Sequence, residues 1–476
     1  MEKTDENIRI MDEKEIFQYE KLILTPIKEL VPKLAIPTVI SMMITMIYNL
    51  VDAFFVGKIG TSASASTGIL LSVQAIFQAV GFMFGHGSGS NISVQLGMGK
   101  KKEANKIAAL GFFSAMVISV IPMILGLIYI DQLMRALGST ETILPYARSY
   151  GFYILISGPA LTLSCVLNNI MRYEGKAFFA MIGLVSGGVI NMFFDPILMF
   201  GLNMGINGAG LSTAISQYIS LGILYYMFFS KKTITEIKFL NLEWNVVRFF
   251  RIIKNGLPSL IRQSLNSIST MALNICAMPY GDSAIAAMAI VGRVAMFIGS
   301  TMVGIGQGFQ PVSAFNYGAK KYTRIRKAFW FTFIIGETVL GIMAIVGMFF
   351  PGEIVRVFRD DDSVVRIGRI ALMYQCVAII VQPMGIVTNM LFQSIGKSKI
   401  ASFTASLRTG LCYIPTIIIL PKFLGLTGVE CSQMISDILT TLICLPFTIV
   451  FLAKLPREDE EVELDRQYIE SKKVEK

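Results

Sequence analysis

The chain has 476 residues, 54% of them hydrophobic and 16% charged, with a mean hydropathy of +0.62. Soluble globular proteins carry roughly 25% charged residues. The composition therefore describes an integral membrane protein and excludes disordered, collagenous and disulfide-rich secreted chains. The formal charge of +10 does not point to nucleic acid, because the basic residues fall in short runs between apolar segments.

Residues 1–30 read as a polar N-terminal segment, with Glu2, Lys3, Asp5, Glu6 and Arg9 where a secretory signal would be apolar. Apolar stretches long enough to span a bilayer follow near 31–57, 67–97, 107–130, 142–170, 178–201 and 207–230. A polar connection, 231–248, holds Lys232, Glu236, Lys238, Glu243 and Trp244. Six more stretches lie near 249–279, 283–317, 328–350, 363–395, 400–420 and 429–454. The tail, 455–476, is polar and reads as mobile. The expected fold is all-α and membrane-embedded. Twelve spans form two six-helix lobes, 31–230 and 249–454, joined by the linker 231–248.

An even number of spans puts both termini on one side. The loops sharing that side hold Lys100–Lys102, Arg172, Lys176, Lys320, Lys321 and Arg324, an excess over the opposite side. Such an excess marks the cytoplasmic face. The expected location is the cytoplasmic membrane, multi-pass, with both termini inside.

The two halves are an internal repeat. At an offset of 221 residues, Pro37 meets Pro258, Gly60 meets Gly281, Gly85 and Gly87 meet Gly306 and Gly308, and Lys100 meets Lys321. From Pro37 to Lys100 there are 13 identities in 64 positions. At an offset of 220, Gly205, Gly208, Ser212 and Ser216 meet Gly425, Gly428, Ser432 and Ser436. Six spans per copy give both copies one orientation, as in transporters built of parallel bundles. Two matched lobes around a cavity suit alternating access.

Carboxylates within spans are the sharpest chemical signal, because each costs about 2.5–3.5 kcal/mol at a helix centre and usually faces a cavity or partner. The first half has Asp52 and Asp195. Counting along segments 1, 5 and 6 at 1.5 Å per residue, Asp52, Asp195 and Thr213 share a depth of roughly 8 Å below the opposite face. Tyr48 and Asn191 lie one turn below the two carboxylates. Two carboxylates together in low dielectric resist being ionised at once, which suits a proton carrier. With an amide and a hydroxyl oxygen they suit Na⁺ equally. The alternative is that each Asp satisfies backbone donors beside a helix break, since Pro196 follows Asp195.

The second half has Glu337 and Asp437, with Arg262, Arg293 and Arg408. Comparable depth suggests structural ion pairs, Arg262 with Glu337 and Arg293 with Asp437. A role in substrate binding or ion passage is the alternative. The stretch Gly85–Ser90 fails as a hydrolase motif, because His86 stands where G-x-S-x-G needs glycine. Its repeat copy keeps only the glycines, so close helix packing is the expected role. The six cysteines include no C-x-x-C pair, so neither structural zinc nor a disulfide framework is expected.

With these residues in view, the sequence resembles the multidrug and toxic-compound extrusion (MATE) family over roughly residues 30–454. The marks are Pro37, Tyr48-Asn49-Leu50-Val51-Asp52 and Asn191-Met192-Phe193-Phe194-Asp195-Pro196-Ile197. Within the family it is most similar to the DinF-like branch and to MepA-type bacterial exporters. The resemblance implies a cation-coupling cluster on Asp52, Asn191, Asp195 and Thr213, with Tyr48 adjacent and a bend at Pro37. The acidic residues that another branch uses on segment 7 have no counterpart between Gly256 and Pro279.

The function expected is efflux by antiport: amphipathic drugs, dyes and biocides outward, H⁺ or Na⁺ inward. No cofactor, no nucleic-acid partner, no metal beyond Na⁺ and a monomeric state are expected. Two other readings stay open. A flippase for a lipid-linked precursor would use Arg262, Arg293 and Arg408 in a basic cavity. A membrane-embedded enzyme would need a nucleophile and base that the sequence does not pair.

Overall fold

The computed structural model describes residues 10–474. Among them there is no β-strand, and twelve long helices carry the fold. They are α1 (Ile27–Gly57), α2 (Thr61–Gly97), α3 (Lys101–Ile128), α4 (Leu144–Tyr173), α5 (Ala177–Gly201) and α6 (Ile206–Phe229). The second six are α7 (Val246–Ala277), α8 (Asp282–Gly318), α9 (Tyr322–Phe349), α10 (Asp362–Ser394), α11 (Ser398–Leu424) and α12 (Leu426–Lys454). Ten are long and apolar enough to cross a membrane. The other two are α6, diluted by Ser, Tyr and Asn, and α7, which carries Arg248, Arg251, Lys254 and Arg262.

The repeat is visible in the bonds. Asn168 donates to the Ala180 carbonyl at 2.8 Å, and Asn389 to that of Ala401 at 2.7 Å. Both residues of the second pair lie 221 positions beyond the first. The hairpins α5–α6 and α11–α12 turn on Gly205 and Gly425, at φ +56° and +59°. An L side chain rarely adopts that backbone, so glycine is needed at both.

Packing divides the chain into two compact units. One is Ile40–Gly256 with the terminal segments, up to Lys21 and from Val462; the other is Leu22–Val39 with Leu257–Glu461. The divisions thus fall inside α1 and α7, two residues after Pro37 and just before Pro258, not in the central loop. Glycine accounts for both. In the first unit α7 begins against α2, where a Cβ on Gly87 would strike the Ile252 carbonyl and one on Gly256 the Met83 carbonyl. In the second unit α1 begins against α8, where Cβ atoms on Gly304 and Gly308 would meet Val39 and Ala35. The glycines of the 85–90 stretch are therefore packing residues, Gly85 against Asn169 and Gly89 against Tyr173. We expect Gly256→Ala to cost about 1–3 kcal/mol by overpacking. It should lower the melting temperature in detergent, whereas Gly222→Ala, with open space around it, should not.

The described parts of the polar ends, 10–26 and 455–474, contain helices; the rest of each end lies outside the described residues. Asp12 caps a helix at Glu13–Tyr19 by accepting from the Lys14 and Glu15 amides, and Glu15 returns a bond to the Asp12 amide. The tail was expected to be mobile; instead Glu463–Val474 forms a helix. Tyr468 stacks on Tyr19 with ring centroids 4.2 Å apart, and the Tyr19 hydroxyl donates to Asp465 at 2.6 Å. Leu464, Gln467 and Ser471 are buried at helical spacing, a face that overall polarity conceals. The central loop is pinned by Glu174, which accepts from the Ile234 and Thr235 amides at 2.7 and 3.0 Å and from the Thr235 hydroxyl. Burial pushes the Glu174 carboxyl above its ordinary range against the pull of these donors.

Candidate ion-coupling site

The first unit brings the two carboxylates of α1 and α5 together. Asp195 is fully enclosed on the last α-helical turn of α5. Pro196 then removes an amide, and Ile197–Gly201 widens into a π-turn. Asn191, one turn earlier, donates its amide to Asp195 Oδ1 at 3.1 Å and to Ser212 Oγ of α6 at 3.1 Å. Ser212 in turn donates to the Asn191 carbonyl at 3.3 Å. The α5 and α6 backbones approach through Gly183 and Gly187, whose added Cβ atoms would meet Leu224 and Ser220. This close approach puts Ser212 beside Asn191.

Asp52 comes from α1 and lies close enough to interact electrostatically with Asp195. One turn below it, the Tyr48 ring packs on the bare face of Gly188, where a Cβ would come within 2.8 Å of Cδ1. Tyr150 of α4 is buried close to the two carboxylates. An apolar cluster including Val56, Leu70, Phe77, Ile154 and Met199 surrounds Tyr150.

The satisfied bonds leave a pattern. Asp52 Oδ1, Asp195 Oδ2 and Ser216 Oγ are buried and have no hydrogen-bond partner. Among the described residues no basic side chain pairs with either carboxylate. An unpaired carboxylate oxygen in low dielectric is costly. Either a proton or a desolvated hard cation would satisfy these oxygens.

The structure therefore brings Asp52, Asp195, Asn191 and Tyr48 into one neighbourhood of the first unit, while Thr213, next to Ser212, makes no side-chain hydrogen bond to them. Sequence reasoning missed Ser212, Ser216 and Tyr150. The serines had a signal, because their spacing recurs at Ser432 and Ser436. Tyr150 had none, being one of 16 tyrosines.

The expected ion pairs of the second unit are corrected. Asp437 pairs with Arg408, Nε to Oδ1 at 2.9 Å, not with Arg293. The tight turn at Gly425 folds α12 back along α11 and brings positions 408 and 437 face to face. Glu337 makes no ion pair among the described residues, so the pair with Arg262 is not formed. Its helix α9 packs on α8 and α10.

Comparison with known proteins agrees with this architecture. The MatE family model matches residues 37–197 and 258–419, one match in each half. The chain is 27% identical over 435 residues to the multidrug export protein MepA of Staphylococcus haemolyticus (strain JCSC1435), covering 90% of this chain and 94% of that protein. It is 25% identical over 449 residues to the MepA of Staphylococcus aureus (strain MRSA252), covering 93% and 97%. A crystal structure of a MATE in complex with MaL6 superposes with a TM-score of 0.87 at 24% identity, covering 94% of this chain and 99% of that one. The chain belongs to the MatE family, the multidrug and toxic-compound extrusion transporters.

Proposed function

We propose that the protein exports amphipathic, often cationic compounds across the cytoplasmic membrane in exchange for H⁺ or Na⁺, with both termini on the cytoplasmic side. The observation that carries this reading is the pair of buried, partnerless carboxylate oxygens on Asp52 and Asp195. Empty, the site is anionic and favours a cationic drug nearby. Loaded with H⁺ or Na⁺ it is closer to neutral, and the drug loses that attraction. This difference in affinity between states is what an antiporter needs. Asn191 and Ser212 hold Asp195 in place; Tyr48 positions the α1 helix against α5.

Pro37 supplies the proposed movement. It lacks an N–H and weakens the α1 ladder, two residues before α1 passes from one packing unit to the other. Asp52 lies about 22 Å further along the same helix. On this reading its charge state selects a straighter or a bent α1. Pro37→Ala should then bind drug nearly as wild type yet export it slowly. A wild-type rate at matched membrane abundance would reduce Pro37 to a helix-entry residue. The flippase reading loses ground, because Arg408 is neutralised by Asp437 and so cannot lend a free charge to pyrophosphate binding.

Dye uptake into everted vesicles tests the function. Uptake should follow an imposed H⁺ or Na⁺ gradient and collapse when that gradient is removed. Uptake indifferent to both gradients would refute antiport.

A further inference from the structure

The linker between the halves reads as polar, yet it exposes large apolar side chains. Leu240 is 95% exposed, Phe239 75% and Trp244 65%. The segment that carries them is tied to α3. The Glu236 amide donates to Asn105 Oδ1 at 3.1 Å, and Glu243 pairs with Lys106 at 2.5 Å, both near the start of α3. Between these ties the Phe239 ring meets Phe113 edge to face, with centroids 5.7 Å apart. Phe113 stands seven residues beyond Lys106, about 10 Å further along the helix at 1.5 Å per residue. Residues 236–243 therefore form a hairpin laid along two turns of α3. Its tip is the single 3-10 turn Phe239–Asn241, and Asn241 closes it by donating to the Glu236 carbonyl at 3.2 Å.

The tip lies at the edge of the apolar band. Lys106 is the last charged residue of α3. From Val117 onward its exposed side chains, such as Ile121, Ile124 and Leu125, are all apolar. Helix α6 gives the same level independently. Its Tyr225 packs on Phe112 with centroids 6.1 Å apart, and its last turn exposes Tyr226 and Phe229. Tyrosine and tryptophan gather at the membrane–water interface. Just beyond that turn come Lys231 and Lys232, both exposed and without an ion pair among the described residues. Lys238, next to the tip, is opposed by Glu236 at 2.6 Å. Exposed apolar side chains at this level, with bases on their outer side, form an interfacial anchor.

We propose that this hairpin binds anionic phospholipid: Phe239 and Leu240 enter the leaflet on the side of the termini, Trp244 lies at its surface, and Lys231, Lys232 and Lys238 hold lipid phosphates. Ammonium groups attract any phosphate. The apolar tip restricts the source to one that carries acyl chains. The inference stands whatever compounds the protein exports.

The chain has two tryptophans, Trp244 and Trp330, so a reporter can be placed at the tip. Leu240→Trp is combined with Trp244→Phe and Trp330→Phe; at 95% exposure position 240 has little packing to disturb. The full-length protein is reconstituted in phosphatidylcholine vesicles with a minor share of phosphatidylglycerol. Bromine, a contact quencher, is carried on the acyl chains of one lipid or the other. Brominated lipid should quench the fluorescence, and iodide in the water should not. At equal bromine content, phosphatidylglycerol should be favoured over phosphatidylcholine by about 5- to 30-fold, the effect of one to two bases near a lipid surface. Lys231→Gln with Lys232→Gln and Lys238→Gln should bring that ratio to within about twofold of unity while quenching by lipid persists. Trp330→Phe alone leaves Trp244 as reporter in a native linker and should show the same preference. Soluble glycerophosphate in excess should leave the preference intact. Quenching by iodide and not by lipid would overturn the proposal, as would quenching by neither, which would mean a tip covered by protein. Equal quenching by the two lipids, or a preference lost to glycerophosphate, would overturn it as well.

Discussion

Asp52→Asn and Asp195→Asn should each reduce gradient-driven drug export to background while the protein remains inserted and folded. An amide cannot take up a proton and supplies no negative charge for Na⁺. Its shape nevertheless preserves the packing: the carbonyl of an asparagine at 195 can still accept from Asn191, which now donates at 3.1 Å. Stability should hold or rise, because each change removes one of two like charges, each buried with one oxygen lacking a donor. Melting temperature and export are therefore expected to move in opposite senses or independently. A mutant that exports at the wild-type rate would remove its residue from the coupling site. A mutant that loses export only as it loses folded protein would show a structural role instead.

The second large effect concerns Arg408 and Asp437. Removing either partner alone leaves a charge within the membrane and should cost about 3–5 kcal/mol. Arg408→Met exposes the problem most directly, because Asp437 is nearly inaccessible and already has Oδ2 without a partner. Folded yield and melting temperature should both fall. Arg408→Met combined with Asp437→Leu should recover most of the loss, since a well-packed apolar pair can replace a buried ion pair. Strictly additive losses would contradict the pairing. Glu337→Gln, in contrast, breaks no ion pair and should leave the melting temperature nearly unchanged.

What the sequence disclosed depended on the kind of information each feature carries. Twelve helices and their repeat were legible because apolar length is a local property and Gly and Pro matches are poorly explained by composition. Asp52 and Asp195 were legible for the same reason, a charge standing out in an apolar run. Partner choice was not. Depth alone pointed Asp437 to Arg293; only the Gly425 turn and the resulting face of α12 select Arg408. Gly87 and Gly256 announced close packing but not their partners, so the exchange of α1 and α7 beginnings between units was hidden. Tyr150 and Ser212 are neutral and common in such helices, and their importance comes from where Asn191 and the two carboxylates stand. The terminal helix at Glu463–Val474 was masked by its polarity, because Leu464 shares its buried face with Asp465, Gln467 and Ser471.

These results combine into a simple scheme. The first unit holds a carboxylate pair lacking any cation among the described residues, and the second holds an arginine balanced by its own carboxylate.

The most direct test of the coupling claim is ion flux driven by drug. Purified protein is reconstituted into proteoliposomes, a dye gradient is imposed, and internal pH and Na⁺ are recorded with fluorescent indicators. Dye movement through the wild-type protein should drive H⁺ or Na⁺ in the opposite direction, and Asp52→Asn should abolish that ion flux. Dye movement with no accompanying flux of either ion, or an undiminished flux in Asp52→Asn, would contradict the account.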